Sequence, residues 1–145
     1  MKALIQRVRH ARVEVAQRCI AQISEGMLVL VGIDAHDTEQ SVDRLSDRLL
    51  HYRLFADAQG RMNLDIGQSG GSILVVSQFT LSADTGKGLR PGFSNAAAPE
   101  EAERLFNRVV ERIQRKHPAT TCGQFGADMQ VSLQNDGPVT FMLEN

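Results

Sequence analysis

The chain has 145 residues, of which 42% are hydrophobic and 23% charged, as expected for a globular protein of one domain. Its net charge of −1 argues against a protein that coats nucleic acid non-specifically, because such proteins are usually basic. No apolar run approaches the roughly 20 residues of a membrane helix, and the charged start of the chain does not resemble a signal peptide. Two cysteines without CxxC spacing predict neither a disulfide scaffold nor a zinc site, so we expect a reducing, cytoplasmic location.

The first elements in chain order are two strands and a helix. Residues 12–15 (RVEV) alternate apolar and charged side chains, which predicts a half-buried strand. The continuous apolar run at 27–33 is typical of a strand buried on both faces. A helix follows, for which we predict Asp37 as the N-cap and Gln40 as its capping-box partner.

A third strand and a second helix are predicted in the middle of the chain. Residues 73–76 are an apolar run that predicts a buried strand. Residues 84–95, rich in Gly, Pro and charge, predict a long loop, and long loops inside compact domains often carry function. A helix is predicted to begin near Pro99, a residue favoured at the first helical position, and to end before Pro118.

The chain closes with two further alternating patterns. Met129, Val131 and Leu133 share one face in the first pattern, and a second pattern occupies 139–143. The order of strands and helices predicts an α+β fold. We expect residues 1–145 to form a single compact domain with a curved, barrel-like β-sheet and two covering helices.

The common catalytic motifs are absent from the sequence. It contains no GxSxG elbow, P-loop, HExxH or GxGxxG motif. The four histidines lie among polar neighbours without a ligand partner at helical spacing, which is typical of solvated side chains. We therefore expect no metal and no cofactor.

Two short segments remain as candidates for chemistry. The segment SQFTL at 77–81 places hydroxyl and amide groups directly after a buried strand, where they need either hydrogen-bond partners or a pocket. From the residue types alone, two interpretations remain: a strand edge whose polar groups are all hydrogen-bonded, or a ligand site. The segment NDGPVT at 135–140 consists of strong turn formers, so a plain turn between strands is one interpretation and a functional backbone segment is the other.

Together, these two segments resemble the signature motifs of the D-aminoacyl-tRNA deacylases. Other stretches resemble family segments in the same order along the whole chain: LIQRV at 4–8, MNLD at 62–65, GGSILVVSQFTLSADT at 70–85, GLRPGF at 88–93 and ADMQVSLQNDGPVTF at 127–141. Two separate motifs at the expected distance are more specific than either alone.

The resemblance implies an enzyme that hydrolyses the ester between a D-amino acid and the 3′-terminal adenosine of tRNA. It also implies removal of glycine mischarged on tRNA, while L-aminoacyl-tRNA is spared. The family forms homodimers with active sites at the interface. A cis peptide between Gly137 and Pro138, inserted from one subunit into the pocket of the other, is the implied chiral filter.

The resemblance also assigns roles to individual residues. The implied catalytic segment consists of Ser77, Gln78, Phe79 and Thr80, with backbone N–H groups near Phe79 and Thr80 as an oxyanion hole. The implied substrate-binding residues are Gly137, Pro138, Arg7, Met129, Val139 and Thr140. Thr80 is either the nucleophile or a residue that shapes the pocket. Because the sequence offers no evident base for Thr80, we favour an activated water assisted by the ribose 2′-hydroxyl.

The loop with Lys87, Arg90 and Phe93 is a candidate contact for the tRNA acceptor end, and a merely solvated loop is the alternative. Two other functions also remain open at the level of sequence. One is a dimeric nucleic-acid-binding protein without catalysis, and the other is a hydrolase of small D-amino-acid esters that ignores tRNA.

Overall fold

A computed structural model describes residues 1–86 and 88–144 of the chain. It contains eight strands and three helices, with a 3-10 turn at Phe79–Ser82. The strands are β1 (Lys2–Val15), β2 (Arg18–Ile23), β3 (Gly26–Gly32), β4 (Phe55–Ala56), β5 (Met62–Leu64), β6 (Ser72–Ser77), β7 (Thr120–Cys122) and β8 (Met129–Glu144). The helices are α1 (Glu39–His51), α2 (Ile66–Ser69) and α3 (Pro99–Lys116).

The molecule is built around one six-stranded sheet, in which β1 pairs with three other strands. β8 pairs antiparallel with β1 over nearly the whole length of both strands. Along its other edge β1 pairs first with β3, from Lys2 to Val8, and then with β2, from Ala11 to Val15. β6 and β7 extend the sheet beyond β3 in parallel. Since one strand changes partners along its length, the sheet curves into a barrel-like shape, as expected from the sequence.

Two apolar cores lie on opposite faces of this sheet. The larger core joins alternate residues of the strands to α1 and α3, and it includes Ile5, Val29, Leu45, Phe106 and Val109. The smaller core lies on the other face of the sheet and contains residues such as Val13, Leu28 and Leu74. β3 and β6 contribute to both cores, which is the physical reason for their continuous apolar runs. The α+β prediction with two covering helices is confirmed.

The predicted cap of α1 is wrong. The N-cap is Thr38, whose N–H donates to Ser41 Oγ at 3.3 Å, instead of Asp37 with Gln40. Asp37 is buried, and its carboxylate accepts hydrogen bonds from the amino group of Met1 at 2.6 Å and from the N–H of Asp34 at 2.6 Å. The carboxylate of Asp37 pairs with the buried amino group of Met1, so the neighbouring Thr38 is the N-cap instead.

The interpretation of residues 134–140 as a plain turn is also wrong. Both closing patterns belong to the one strand β8, which continues along β1 in the same direction before and after Gly137. The alternation within each half is as predicted, since Met129, Val131 and Leu133 are half-buried and Leu143 is buried.

Among the described residues, no helix is long and apolar enough to cross a membrane.

A buried charge cluster lies where β3 ends. Asp34 accepts from the amino group of Met1 and from Lys2 Nζ, each at 3.1 Å. Burial by itself would raise the pKa of Asp34, but hydrogen bonds from Ser82, the amino group and Lys2 outweigh it and lower the pKa. Ser82 is the last residue of the 3-10 turn that begins at Phe79, so its hydrogen bond to Asp34 links that turn to the charge cluster.

Asp34→Asn should lower the free energy of unfolding by about 2 kcal/mol at neutral pH, because hydrogen bonds to the charged carboxylate are lost. The folded pKa of Asp34 lies below its unfolded value, so its contribution is complete above that unfolded value of about 3.9 and disappears as the pH falls further. Urea unfolding of both proteins at pH ~7 and pH ~3 measures this. A stability difference that does not shrink in acid would contradict the assignment.

Candidate active site

A cavity of about 460 Å³ opens at the carboxyl end of β6. Ser77, Gln78 and Phe79 form one wall, and Met129 at the start of β8 forms part of another. Its volume is within the usual range for small-molecule sites. Of the two interpretations of SQFTL, the ligand site is thus the one that agrees with this geometry, because the polar groups after β6 border a cavity.

Aromatic contacts shape this cavity at its mouth and at its inner wall. Phe79 is 59% exposed and its ring lies 5.1 Å from that of Phe93 in the 84–95 loop. On the inner side, Phe125 lines the cavity and contacts the buried Phe106 of α3, with ring centroids 5.9 Å apart. One wall is therefore anchored in the main core, while the mouth presents exposed aromatic surface.

The 3-10 turn after β6 presents backbone donors beside the cavity. The N–H of Gln78 donates to the Val31 carbonyl at 2.7 Å, and this hydrogen bond fixes the start of the turn. The N–H groups of Phe79 and Thr80 begin the turn, where a helix supplies no acceptor of its own, and no described residue accepts from them. Gln78 Nε2 donates to Thr80 Oγ1. Thr80 is exposed and does not line the cavity.

Gly137 and Pro138 form an exposed projection from β8, and the peptide bond between them is cis, as the resemblance implies. Arg7 lies directly beside this projection. Its Nε donates to the Asp136 carbonyl at 3.1 Å, and its Nη1 donates to the Leu54 carbonyl at 2.9 Å. An ion pair between Arg7 Nε and Asp136 Oδ2 at 3.2 Å adds a third contact.

The structure divides the predicted site residues into two groups. Ser77, Gln78, Phe79 and Met129 meet at the cavity, with Thr80 one residue beyond. The second group lies at the projection and consists of Gly137, Pro138, Val139 and Thr140 of β8 together with Arg7 of β1 beside it. Met129 and Asn135, at the base of the projection, are separated by about 20 Å of extended β8. One chain therefore does not bring the two groups together.

Several residues of the cavity were not anticipated from the sequence. They come from the segment before α3, from α3, from the loop before β8 and from β8 itself: Ala96, Ala97, Pro99, Ala102, Phe125, Gly126, Ala127, Asp128 and Val131. The single aromatic residue in the glycine-containing loop 123–126 was the only available signal. In the long loop, Arg90 is exposed, whereas Lys87 lies outside the described residues.

A second depression of about 570 Å³ borders the buried charge cluster and includes Lys2, Asp34 and His36. Asp34, His36 and Asp37 have ligand atoms within 4.8 Å of one another. However, the two carboxylates already bind the amino group of Met1, and Asp34 also binds Lys2. Because these cations occupy the carboxylates, we assign no metal to this cluster.

Comparison with known proteins identifies the family. Residues 4–144 match the family described as D-Tyr-tRNA(Tyr) deacylase. The D-aminoacyl-tRNA deacylase of Cellvibrio japonicus (strain Ueda107) is 59% identical over 144 residues, 99% of both chains. That of Stutzerimonas stutzeri (strain A1501) is 54% identical over the full length of both chains. The chain belongs to the D-Tyr-tRNA(Tyr) deacylase family, and it is an enzyme of the carboxylic ester hydrolase class.

Solved structures with the same fold are also known. The structure of the c-Myc DNA unwinding element binding protein is 38% identical and superimposes with a TM-score of 0.96, covering 100% of this chain and 99% of the other. A probable eukaryotic D-amino acid tRNA deacylase has the same fold at 15% identity, with a TM-score of 0.88.

Proposed function

We propose that this enzyme hydrolyses the ester between a D-amino acid, or glycine, and the 3′-terminal adenosine of tRNA, while it spares L-aminoacyl-tRNA. The observation that carries the proposal is the cavity lined by Phe79, whose N–H group, like that of the adjacent Thr80, has no acceptor among the described residues. Such donors can stabilise the oxyanion that develops on an ester carbonyl, and each is worth roughly 2.7–4 kcal/mol in better-studied enzymes.

Water is the proposed nucleophile. Its oxygen attacks the ester carbonyl, the carbonyl carbon loses the ribose 3′-oxygen, and that oxygen takes up a proton. We assign assistance in the proton transfer to the tRNA 2′-hydroxyl, since the described lining residues of the cavity include no histidine or lysine and only one carboxylate, Asp128. Ser77 and Gln78 orient the substrate from the wall of the cavity. Thr80 acts through its N–H group, while its hydroxyl is held by Gln78.

Thr80→Ala should therefore retain the rate of ester cleavage within about fivefold, whereas removal of a true nucleophile can cost about 10⁶-fold. Single-turnover deacylation of D-tyrosyl-tRNA measures this rate directly. Thr80→Ser is the matched control, because it keeps the hydroxyl. Loss of activity in Thr80→Ala together with full activity in Thr80→Ser would identify the hydroxyl as the nucleophile and contradict the proposal.

The chiral filter is proposed to be the Gly137–Pro138 backbone of a second copy of the chain. The projection is exposed and lies far along β8 from the cavity of its own chain. In the proposed two-fold homodimer, each projection lies in the other subunit's cavity, because a two-fold axis makes the two contacts equivalent. The two motifs of the family would then meet only in the dimer, with two sites at the interface.

Backbone suits a filter that must reject L-amino acids without reading the side chain. A thousandfold discrimination requires about 4 kcal/mol, while an apolar pocket distinguishes one methylene by only about 1–3 kcal/mol. The carbonyl groups of Gly137 and Pro138 would form a wall on one side of the substrate's α-carbon. An L side chain strikes this wall, a D side chain points away from it, and glycine passes. Gly137 permits close approach because it has no Cβ.

The acceptor end of tRNA is proposed to lie across the mouth of the cavity. Met129 would contact the terminal adenosine from inside. Phe93 would contribute apolar surface at the rim, and the exposed Arg90 would neutralise phosphate. Contacts of this kind weaken as salt increases, so the Michaelis constant for tRNA substrates should rise with ionic strength.

Paired deacylation assays test the proposed function. The purified protein is incubated with D-tyrosyl-tRNA, L-tyrosyl-tRNA and glycyl-tRNA, and loss of the ester is followed over time. Rapid cleavage of the D and glycyl esters, with the L ester spared, is the expected result. Cleavage of none would favour a nucleic-acid-binding protein without catalysis. Equal cleavage of D-tyrosine methyl ester and D-tyrosyl-tRNA would favour a small-ester hydrolase.

A further inference from the structure

The projection of β8 is produced by three additional residues. Gln6 of β1 pairs with Thr140, and Val8 pairs with Asn135, so two steps along β1 correspond to five steps along β8. Residues 136–139 have no partner in the β1 register. Extra residues in one strand of an antiparallel pair leave the ladder and alter the direction of the strand. Their backbone groups therefore need other partners if the projection is to hold one position.

The side chain of Asn135 supplies these partners at the base of the projection. Its Oδ1 accepts the N–H of Val139 at 2.6 Å. Its Nδ2 donates to Thr140 Oγ1 at 2.8 Å, and Gln6 Nε2 contacts the same hydroxyl at 3.4 Å. The two strand positions that flank the projection are thus tied directly to each other.

Arg7 and Asn135 hold opposite ends of the projection. Arg7 binds the carbonyl of Asp136 before Gly137, and Asn135 binds the N–H of Val139 after Pro138. Both contacts use backbone groups, so they restrict the path of the chain directly. Between them, the carbonyl groups of Gly137 and Pro138 remain available to face a substrate.

We propose that Asn135 and Thr140 are positioning residues that hold the projection at its working position and thereby set the stringency of chiral rejection. This inference rests on the proposed chiral filter. A displacement of about 1 Å at an active site can change rates by about 100-fold. Thr140 Oγ1 accepts from Asn135 Nδ2 at 2.8 Å, so we assign its hydroxyl a role through Asn135 rather than on the substrate.

The test compares rate ratios for D-tyrosyl-tRNA over L-tyrosyl-tRNA. Asn135→Ala should lower this ratio by about 100-fold, and Thr140→Val, which removes the acceptor but keeps the shape, by about tenfold. Thr140→Ser keeps the hydroxyl and should restore the ratio to within about twofold of wild type. Ser132→Ala, at an exposed position of the same strand, is the control for substitution in β8. Urea midpoints establish that each variant is folded.

Two results would overturn the inference in different ways. If the wild-type enzyme discriminates and the ratio is unchanged in Thr140→Val and Asn135→Ala, Asn135 and Thr140 do not position the filter, although the proposed function stands. If the wild-type enzyme cleaves both esters equally, the filter itself fails. Should Asn135→Ala not fold, the comparison of Thr140→Val with Thr140→Ser decides, since both substitutions are at an exposed site.

Discussion

Gly137→Ala should reduce the cleavage of D-tyrosyl-tRNA by about 100-fold or more. A Cβ atom at this position would lie 2.6 Å from Val139 Cγ2 and 3.2 Å from Arg7 Nη2. The φ angle of +137° is also one that residues with a side chain rarely adopt. The methyl group would therefore displace the projection or its bracing arginine. Single-turnover rates with D-tyrosyl-tRNA, measured beside urea unfolding, separate lost activity from lost stability.

Gly60→Ala is the matched control for this substitution. Gly60 also has a positive φ angle, +77°, but a Cβ there would meet no atom within 4 Å. It lies in the turn between β4 and β5, away from both groups of site residues. Gly60→Ala thus carries the same kind of backbone strain as Gly137→Ala, but its rate of D-tyrosyl-tRNA cleavage should stay near that of wild type. Equal rates for Gly137→Ala and wild type would exclude the projection from the reaction.

Two inactive variants should restore activity to each other when their subunits are mixed. Ala127→Trp fills the cavity from the loop before β8, and Gly137→Ala disables the projection. In a mixed dimer, the Gly137→Ala subunit contributes an intact cavity and the Ala127→Trp subunit an intact projection. Random pairing makes about half of the dimers mixed, each with one working site of two, so about a quarter of wild-type activity should return.

The reciprocal mixture controls for simple stabilisation by a partner. A chain that carries both substitutions is mixed with an equal amount of wild-type chain. If each site needs two subunits, both sites of the mixed dimer are disabled, and activity should fall to about a quarter of that of an all-wild-type sample. A site contained within one chain would leave about half. Failure of the first mixture to recover, with about half the activity left in the second, would contradict sites shared between subunits.

The local patterns of the sequence were sufficient for most of the secondary structure. α3 begins at Pro99 and ends at Lys116 as predicted, because its apolar stripe is long and regular and proline is favoured at its first position. The buried strands β3 and β6 were recognisable from their continuous apolar runs. The cap of α1 was missed because Asp37 is used by a buried amino group, and no local pattern encodes that contact.

The candidate site was recognised in part through its motifs. The motif at 77–81 and Met129 were assigned to one site, and Ser77, Gln78, Phe79 and Met129 border the same cavity. Phe125 and Ala97 were missed because they reach the cavity only when the ends of distant elements come together. The segment at 134–140 has the composition of a turn, but its pairing with β1 on both sides keeps it within β8. Pairing is a non-local property, so composition alone favoured the wrong structure.

By itself, the sequence determined the alternation of strands and helices, the faces they bury and the two motifs of the family. These features depend on residues that are close in the chain, where periodicity and residue type act directly. The tertiary structure decided that three extra residues leave the β1–β8 ladder as a projection, braced by Arg7 and Asn135. It also decided that this projection lies far from the cavity of its own chain. The β1–β8 ladder and the Arg7 contact join residues more than a hundred positions apart, and the cavity joins residues of separate elements, so only packing and strand pairing bring them together.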